Sequence, residues 1–461
     1  MSGDYSRKRF NPEKHYQGVL RQQGRVDLDA DWNEYVDLQD RRWRAETIDV
    51  VGRCGVPAET PDGFKIDVSG GELTVGQGRM YVDGYVAENH GTAPALDGTI
   101  EEQYGTAALP VKDQPFGGPV TIPSQVRSLV YLDVWRREVT YLQAPDLIEP
   151  AVNVDTTTRN QTAWQVRILG GIPAEVNCET PLEDVPGWPA RNRPSSARLT
   201  TTTVAVTTEP DPCLVPPTGG YRGLENHLYR VEVHSATNTT AKVKWSRENA
   251  HVATALVEIM AGRTTVRVES LGRDNVLRFK TGDWVELTSD AREFAGLPGE
   301  MRKVTVDDTN KTLTFAPALP IADFPQGVPD ATKHLRVIRW DQTGIVRKPD
   351  GSQLVNLDLT TDGLIELSAA NPSFVLEYGV QATLTVQAGG TAQSGDYWCF
   401  VARTADADIE RLDLAPPLGL YHHYCHLAII EADGDIHDCR TVFPPLTELT
   451  PGCCTVVVRP D

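Results

Sequence analysis

Cysteine and histidine are the residue types in this chain best suited to hold a metal ion, and they are unevenly placed. Cys425, Cys439, Cys453 and Cys454 crowd the C-terminal end with His422, His423, His426 and His437, four of the ten histidines, while Cys54, Cys178, Cys213 and Cys399 are scattered. If YHHYCHLAII at 421–430 is a strand, His422, Tyr424 and His426 face one side and His423 and Cys425 the other. His437 and Cys439, two apart, then share a face of the next strand. Zinc accepts imidazole and thiolate in tetrahedral sets, so His422 or His426 with His437 and Cys439 are the candidate ligands of a structural zinc; no other cofactor is expected. The spacing matches no standard zinc motif and contains no CxxC. Buried cysteines and turn-capping histidines are the commoner meaning of such a cluster, and a disulfide from Cys453 or Cys454 is a third one for a protein that works outside the cell. Eight cysteines in 461 residues do not describe a disulfide scaffold.

Other chemistry finds little purchase. There is no Gly-rich phosphate loop, no Gly-x-Ser-x-Gly elbow and no His-Glu-x-x-His. Carboxylates are abundant, but nothing in the sequence shows which two would face one cleft. SLGRDN (270–275) and WSREN (245–249) place Ser, Arg and a carboxylate together, which reads as structural pairing at strand ends. No catalytic residue is assigned.

The elements that must position these groups are mostly strands. From residue 63 the apolar period is two, with Gly pairs and Asp-Gly turns between runs. The expectation is a mainly β, multi-domain sandwich and small-barrel architecture with one long N-terminal helix. It divides into an arm and helix (1–60), a β-domain (61–180), a Pro/Thr-rich linker or long loop (181–220), a β-domain carrying an SH3-like barrel at about 264–320 (221–345), and a C-terminal β-domain (346–461). There is no fixed-period repeat, heptad array or low-complexity tract.

The helix is the exception in this β chain. Residues 10–26 contain Pro12, Gly18 and Gly24 and read as an extended arm; Asp27, Asp29 and Asp31 then sit where a helix N-terminus favours negative charge. Apolar positions from Trp32 to Val51 fit helical spacing, and Gly52 is a natural stop. A lone helix ahead of a β body reads either as a strap across that body or as a surface for copies of itself or a partner. Arg25, Trp32, Tyr35, Val36 and Trp43 are the expected interface residues, and the polar run 39–42 across the stripe suits a register-setting contact.

Charge and hydropathy exclude some classes. The formal charge is −19, from 63 acidic and 44 basic residues, with no long Lys/Arg run, which argues against nucleic acid and anionic membranes as partners. No run approaches the ~20 apolar residues of a spanning helix, and the start shows no secretory signal, so synthesis in the bacterial cytoplasm without a leader is expected.

FNPEKHYQGVLRQQGRVDLDADWNE (10–34), GRMYVDGYVAEN (78–89), LVYLDVWRREVT (129–140), YRGLENHLYRVEVH (221–234), KWSREN (244–249), GDWVEL (282–287), GDYW (395–398), HHY (422–424) and DCRTVFPPLTEL (438–449) together resemble an uncharacterised bacterial domain family found among genes of phage-tail-like contractile injection systems. The resemblance spans nearly the whole chain and implies a non-enzymatic baseplate, adaptor or tail-fibre-type subunit. It implies other particle subunits as partners, homo-oligomerisation with a trimer favoured, and release by lysis. Longer relatives continue past the Cys-Cys-Thr stretch into a β-helix, which makes an adaptor or baseplate role the expectation here. The alternative is a carbohydrate-binding or glycan-cleaving surface protein, with Trp135, Trp245 or Trp398 as its sugar platform.

Overall fold

The computed structural model describes residues 3–69, 71–95, 99, 103–118, 120, 123, 125–203, 220–387 and 389–448. The fold is mainly β, with several sheets and two helices among the described residues. It divides into two compact units, one of Met1–Leu38, Glu138–Gln161 and Pro194–Leu420, the other of Gln39–Arg137, Thr162–Arg193 and Tyr421–Asp461. Each unit is thus drawn from three separated stretches of chain, where the sequence pattern suggested five consecutive segments.

In the unit containing residues 194–420, two five-stranded sheets enclose one core. The first runs Ala197–Thr203, Val380–Val386, Ser373–Val375, Ile345–Arg347, Gln353–Asn356; the second runs Ile365–Ser368, Thr240–Ser246, His227–Ala236, Tyr397–Arg403, Asp408–Ile409. Alternate residues from both, among them Leu199, Phe374, Ala382, Tyr229, Val231, Val243, Trp398 and Phe400, interdigitate as a sandwich core. Ala197–Thr203 pairs residue for residue with Val380–Val386. This strand lies inside the expected linker: the β-branched threonines that suggested a loop edge instead build a half-buried strand.

The same unit carries the expected barrel, larger than its expected bounds. Seven strands form a nearly closed sheet in the order Glu300–Lys303, Trp284–Thr288, Arg336–Trp340, Ala253–Ile259, Thr265–Val268, Thr312–Thr314, Thr305–Asp307. Val266, Phe279, Val285, Leu313, Phe324 and Val337 fill it. Sandwich and barrel strands meet over buried charges. Lys244, fully buried, lies between Glu232 (3.1 Å) and Glu286, with its ammonium 4.4 Å over the Trp340 ring. Glu232 also takes Arg230 at 2.6 Å; Glu286 accepts from Trp340 Nε1 (3.0 Å) and the Gly299 amide (3.0 Å). Every charge in this set has an opposite or donating neighbour, which is the condition for burying it. Burial alone would raise the Glu232 carboxyl, but the Lys244 and Arg230 charges overcome that and bring it down to about 2. Burial, reinforced by Lys244, lowers His234 beside Glu286 to about 4.

In the other unit, the long strand Ser128–Val139 is central to the sheet Arg159–Gly170, Ser128–Val139, His422–Ile430, Ile436–Asp438. Its faces serve different clusters: Val130, Leu132 and Val134 join Val56, Met80, Trp164 and Leu427, while Leu129 and Tyr131 join Ile172, Val185 and Trp188. Double-sided burial explains the apolar run Leu129–Leu132. The hairpin Gly78–Val82 and Tyr85–Asn89 packs beside it in a second sheet with Cys54–Pro57 and Val442–Phe443. The tail from 449 onward, with Cys453 and Cys454, and the stretch holding Cys213 lie outside the described residues.

Candidate functional site

The long helix runs Asp29–Val51, 23 residues or about 34 Å at the usual rise. Its acidic start is put to use locally: the Ser6 amide and hydroxyl donate to Asp29 (2.8 and 2.6 Å) and Arg9 pairs with Asp31 at 2.5 Å. Arg42 supports the following turn through Glu46 at 2.8 Å. The helix stops at Gly52, whose φ of 90° only glycine adopts freely and whose N–H closes on the Ile48 carbonyl at 2.9 Å.

The face this helix buries mixes apolar and charged residues. Ala30, Glu34 and Leu38 are its buried residues. Further along, Asp40 pairs with Arg136 at 2.9 Å, and the Arg44 guanidinium lies 4.0 Å over the Tyr85 ring while donating to the Asp83 carbonyl. Gly84 permits that approach, since a Cβ there would stand 2.7 Å from the Arg44 carbonyl oxygen.

The apolar residues are on the outside. Trp32 is 61% exposed, Trp43 64% and Val50 63%, and Tyr35, itself exposed, lies 6.0 Å from the Trp32 ring. Trp32, Val36, Gln39, Trp43, Glu46 and Val50 follow one another at intervals of four, three, four, three and four, the spacing of a coiled-coil seam. Two of the six positions are polar and the seam covers fewer than three heptads, which is why no heptad array shows in the sequence. The arm ahead of the helix continues the theme, with Tyr16, Leu20, Val26 and Leu28 exposed. Arg25 is exposed on the arm beside a turn closed by its amide and the Gln22 carbonyl (3.3 Å). Of the expected interface residues, Trp32, Tyr35 and Trp43 are thus exposed and Val36 half-buried between them. In the polar run 39–42, Gln39 lies at a seam position, and Asp40 and Arg42 pair with Arg136 and Glu46.

The C-terminal residues expected to share a zinc ion are not brought together. His422 donates to Asp133 (2.6 Å) and stacks on Trp135 at 5.0 Å. His426 is half-buried elsewhere on its strand, its Nε2 without a partner, and burial lowers its titration. His437 lies at an edge near Glu431 (3.6 Å) and Asp435 (3.9 Å). The Cys439 sulfur is bonded to Cys178, with Cα atoms 5.1 Å apart, and so offers no thiolate. Cys54 and Cys425 form a second pair, Cα atoms 6.2 Å apart. These partners come from the far side of the sequence, which spacing within the cluster cannot reveal. Cys399 is the free cysteine among the described residues, and it is buried.

Trp135, Trp245 and Trp398 are all buried, so none of the three offers a sugar platform. The Ser-Arg-carboxylate runs are structural in their contacts: Ser246 and the Arg247 amide donate to Asp341, and Asp274 accepts two amides of its own turn. One group that the sequence pattern does not single out does converge, Asp4, Glu248 and His251, with ligand atoms all within 4.8 Å of one another. Glu248 and His251, three apart, were a signal of sorts; Asp4, at the other end of the chain, was not.

The chain belongs to DUF6519, a family of unknown function, which matches it over residues 1–186 and 188–450. No curated protein and no solved structure matches it.

Proposed function

We propose that this member of the family is a non-enzymatic structural subunit of a phage-tail-like contractile injection particle, at or near the baseplate or its fibres, and that its long helix binds the same helix of its own copies. The observation that carries this reading is the outer face of the helix: Trp32, Trp43 and Val50, at coiled-coil spacing with the half-buried Val36, face water, while Asp40 and Arg44 are engaged within the chain. At roughly 25 cal/mol per Å2, covering the exposed part of one such tryptophan contributes on the order of 3 kcal/mol. Two tryptophans from each of two helices then offset most of the 4–15 kcal/mol that association costs. The seam is short and has Gln39 and Glu46 within it, a composition that favours defined register over raw stability. A trimer is the favoured state.

The motif resemblance from 10 to 449 supplies the particle class. The cysteine pairings agree with a particle released by lysis and working outside the cell, where disulfides persist. The other particle subunits would dock on the arm and helix. Deleting the gene and imaging particles tests the proposal: particles lacking a defined density at the baseplate are expected, and unaltered particles with all densities present would contradict it.

A further inference from the structure

We propose that Asp4, Glu248 and His251 bind one divalent transition-metal ion of the zinc class, which fastens the N-terminal arm to the turn between the strands Thr240–Ser246 and Ala253–Ile259. All three residues belong to the unit containing residues 194–420.

Hydrogen bonding prepares the ligand atoms for this. His251 Nδ1 lies 2.7 Å from the Glu248 backbone carbonyl. A carbonyl only accepts, so Nδ1 carries the proton, and in neutral imidazole Nε2 is left with its lone pair outward. That Nε2 stands 3.8 Å from Asp4 Oδ2, close to the ~3.4 Å between ligand atoms around a tetrahedral zinc with bonds of about 2.1 Å. Glu248 is oriented from behind in the same way. The buried His227 donates its Nδ1 proton to Glu248 Oε1 at 2.7 Å, which leaves the second carboxylate oxygen for an ion. An imidazole fixed by a carbonyl and a carboxylate fixed by a second imidazole are the supports that metal ligands characteristically have.

The arm is also held where it must be. The buried Asn249 donates to the Gly3 carbonyl (3.0 Å), Glu138 accepts from the Gly3 amide (2.5 Å) and the Tyr5 hydroxyl (2.6 Å), and Asp4 lies between these two anchors. Asn249 and Ala250 have φ of 50° and 56°, turning the chain so that Glu248 and His251 approach the same point. Asp4 is exposed and the other two are half-buried, giving an ion an entry path and room for water in the remaining positions. One imidazole and two carboxylates suit zinc or manganese better than a soft thiophilic ion.

The test is titration of the chelator-stripped full chain with zinc chloride by calorimetry, with cobalt(II) as an optical probe. One ion per chain is expected. Asp4→Asn weakens binding about tenfold and His251→Gln at least a hundredfold, while Cys453→Ser with Cys454→Ser leaves it unchanged. Circular dichroism confirms folding of each variant, and Asp4→Asn, on an exposed arm, provides the safe case. Zinc should also slow amide exchange at residues 3–5 in the wild-type chain and not in Asp4→Asn. Absence of saturable binding, binding retained within twofold in both site variants, or binding lost in the cysteine variant would each overturn the proposal.

Discussion

The buried charges around Lys244 and the outer face of the long helix invert the usual distribution in opposite senses. Around Lys244, ionic groups are inside the protein, and each is matched: Lys244 by Glu232 and Glu286, Glu232 by Arg230, Glu286 by Trp340 Nε1 and the Gly299 amide. On the helix, large apolar groups are outside, and Trp32 and Trp43 are each more than half exposed. The first region is complete within one chain. The second leaves tryptophans in water among polar side chains, and the lesson is that matching, rather than polarity, separates a finished contact from an open one.

The largest way to break the comparison is to unmatch the interior. Lys244→Ala leaves Glu232 and Glu286 facing each other in a dry site, and a loss of about 3–5 kcal/mol in unfolding free energy is expected from urea titration. A variant that loses less than 1 kcal/mol would show that the set is solvated rather than buried.

Acid sharpens the same point more gently. Glu232 titrates near 2 in the fold and near its ordinary 4.5 when unfolded, so the stability it contributes is complete above 4.5 and is lost as pH falls towards 2. His234 acts at higher pH. Held near 4 in the fold, it stays neutral while the unfolded chain takes up a proton below about 6.5, so stability falls between 6.5 and 4 as well. Melting temperature should therefore decline in two stages on acidification, and Glu232→Gln should flatten the lower stage. A melting temperature unchanged from pH 7 to pH 3 would refute the assignment.

The smallest effect on stability is expected on the helix. Trp32→Ala and Trp43→Ala remove side chains that one chain leaves in water, so each should change the unfolding free energy of the dilute, dissociated chain by no more than about 0.5 kcal/mol while weakening association.

What the sequence made legible follows from the range of each interaction. The helix was readable because its signals are local: acidic residues at 27–31, a helical apolar spacing, Gly52 at the stop. Strand content was readable from the alternation, and the barrel from the short strands expected at about 264–320. Strand partnership was not. His422–Ile430 pairs with Ser128–Val139 across nearly 300 residues, and no local period encodes that. The same distance hid the cysteine pairs, and it turned an apparent zinc cluster into a strand whose histidines bond Asp133 and Asp83 instead. The threonine run at 200–203 misled for a different reason, since β-branched residues serve loops and strands alike until a partner strand is known.

The central claim, that the outer face of the helix is an interface between copies of this chain, is tested most directly by the solution mass of the wild-type chain and of the Trp32→Ala, Trp43→Ala double variant, measured by sedimentation velocity at micromolar concentration alongside thermal melting. The account predicts a wild-type trimer whose melting temperature falls on dilution, and a monomeric double variant that still unfolds in one cooperative step at a temperature independent of concentration. A wild-type chain that stays monomeric, or a double variant that unfolds rather than dissociates, would contradict it.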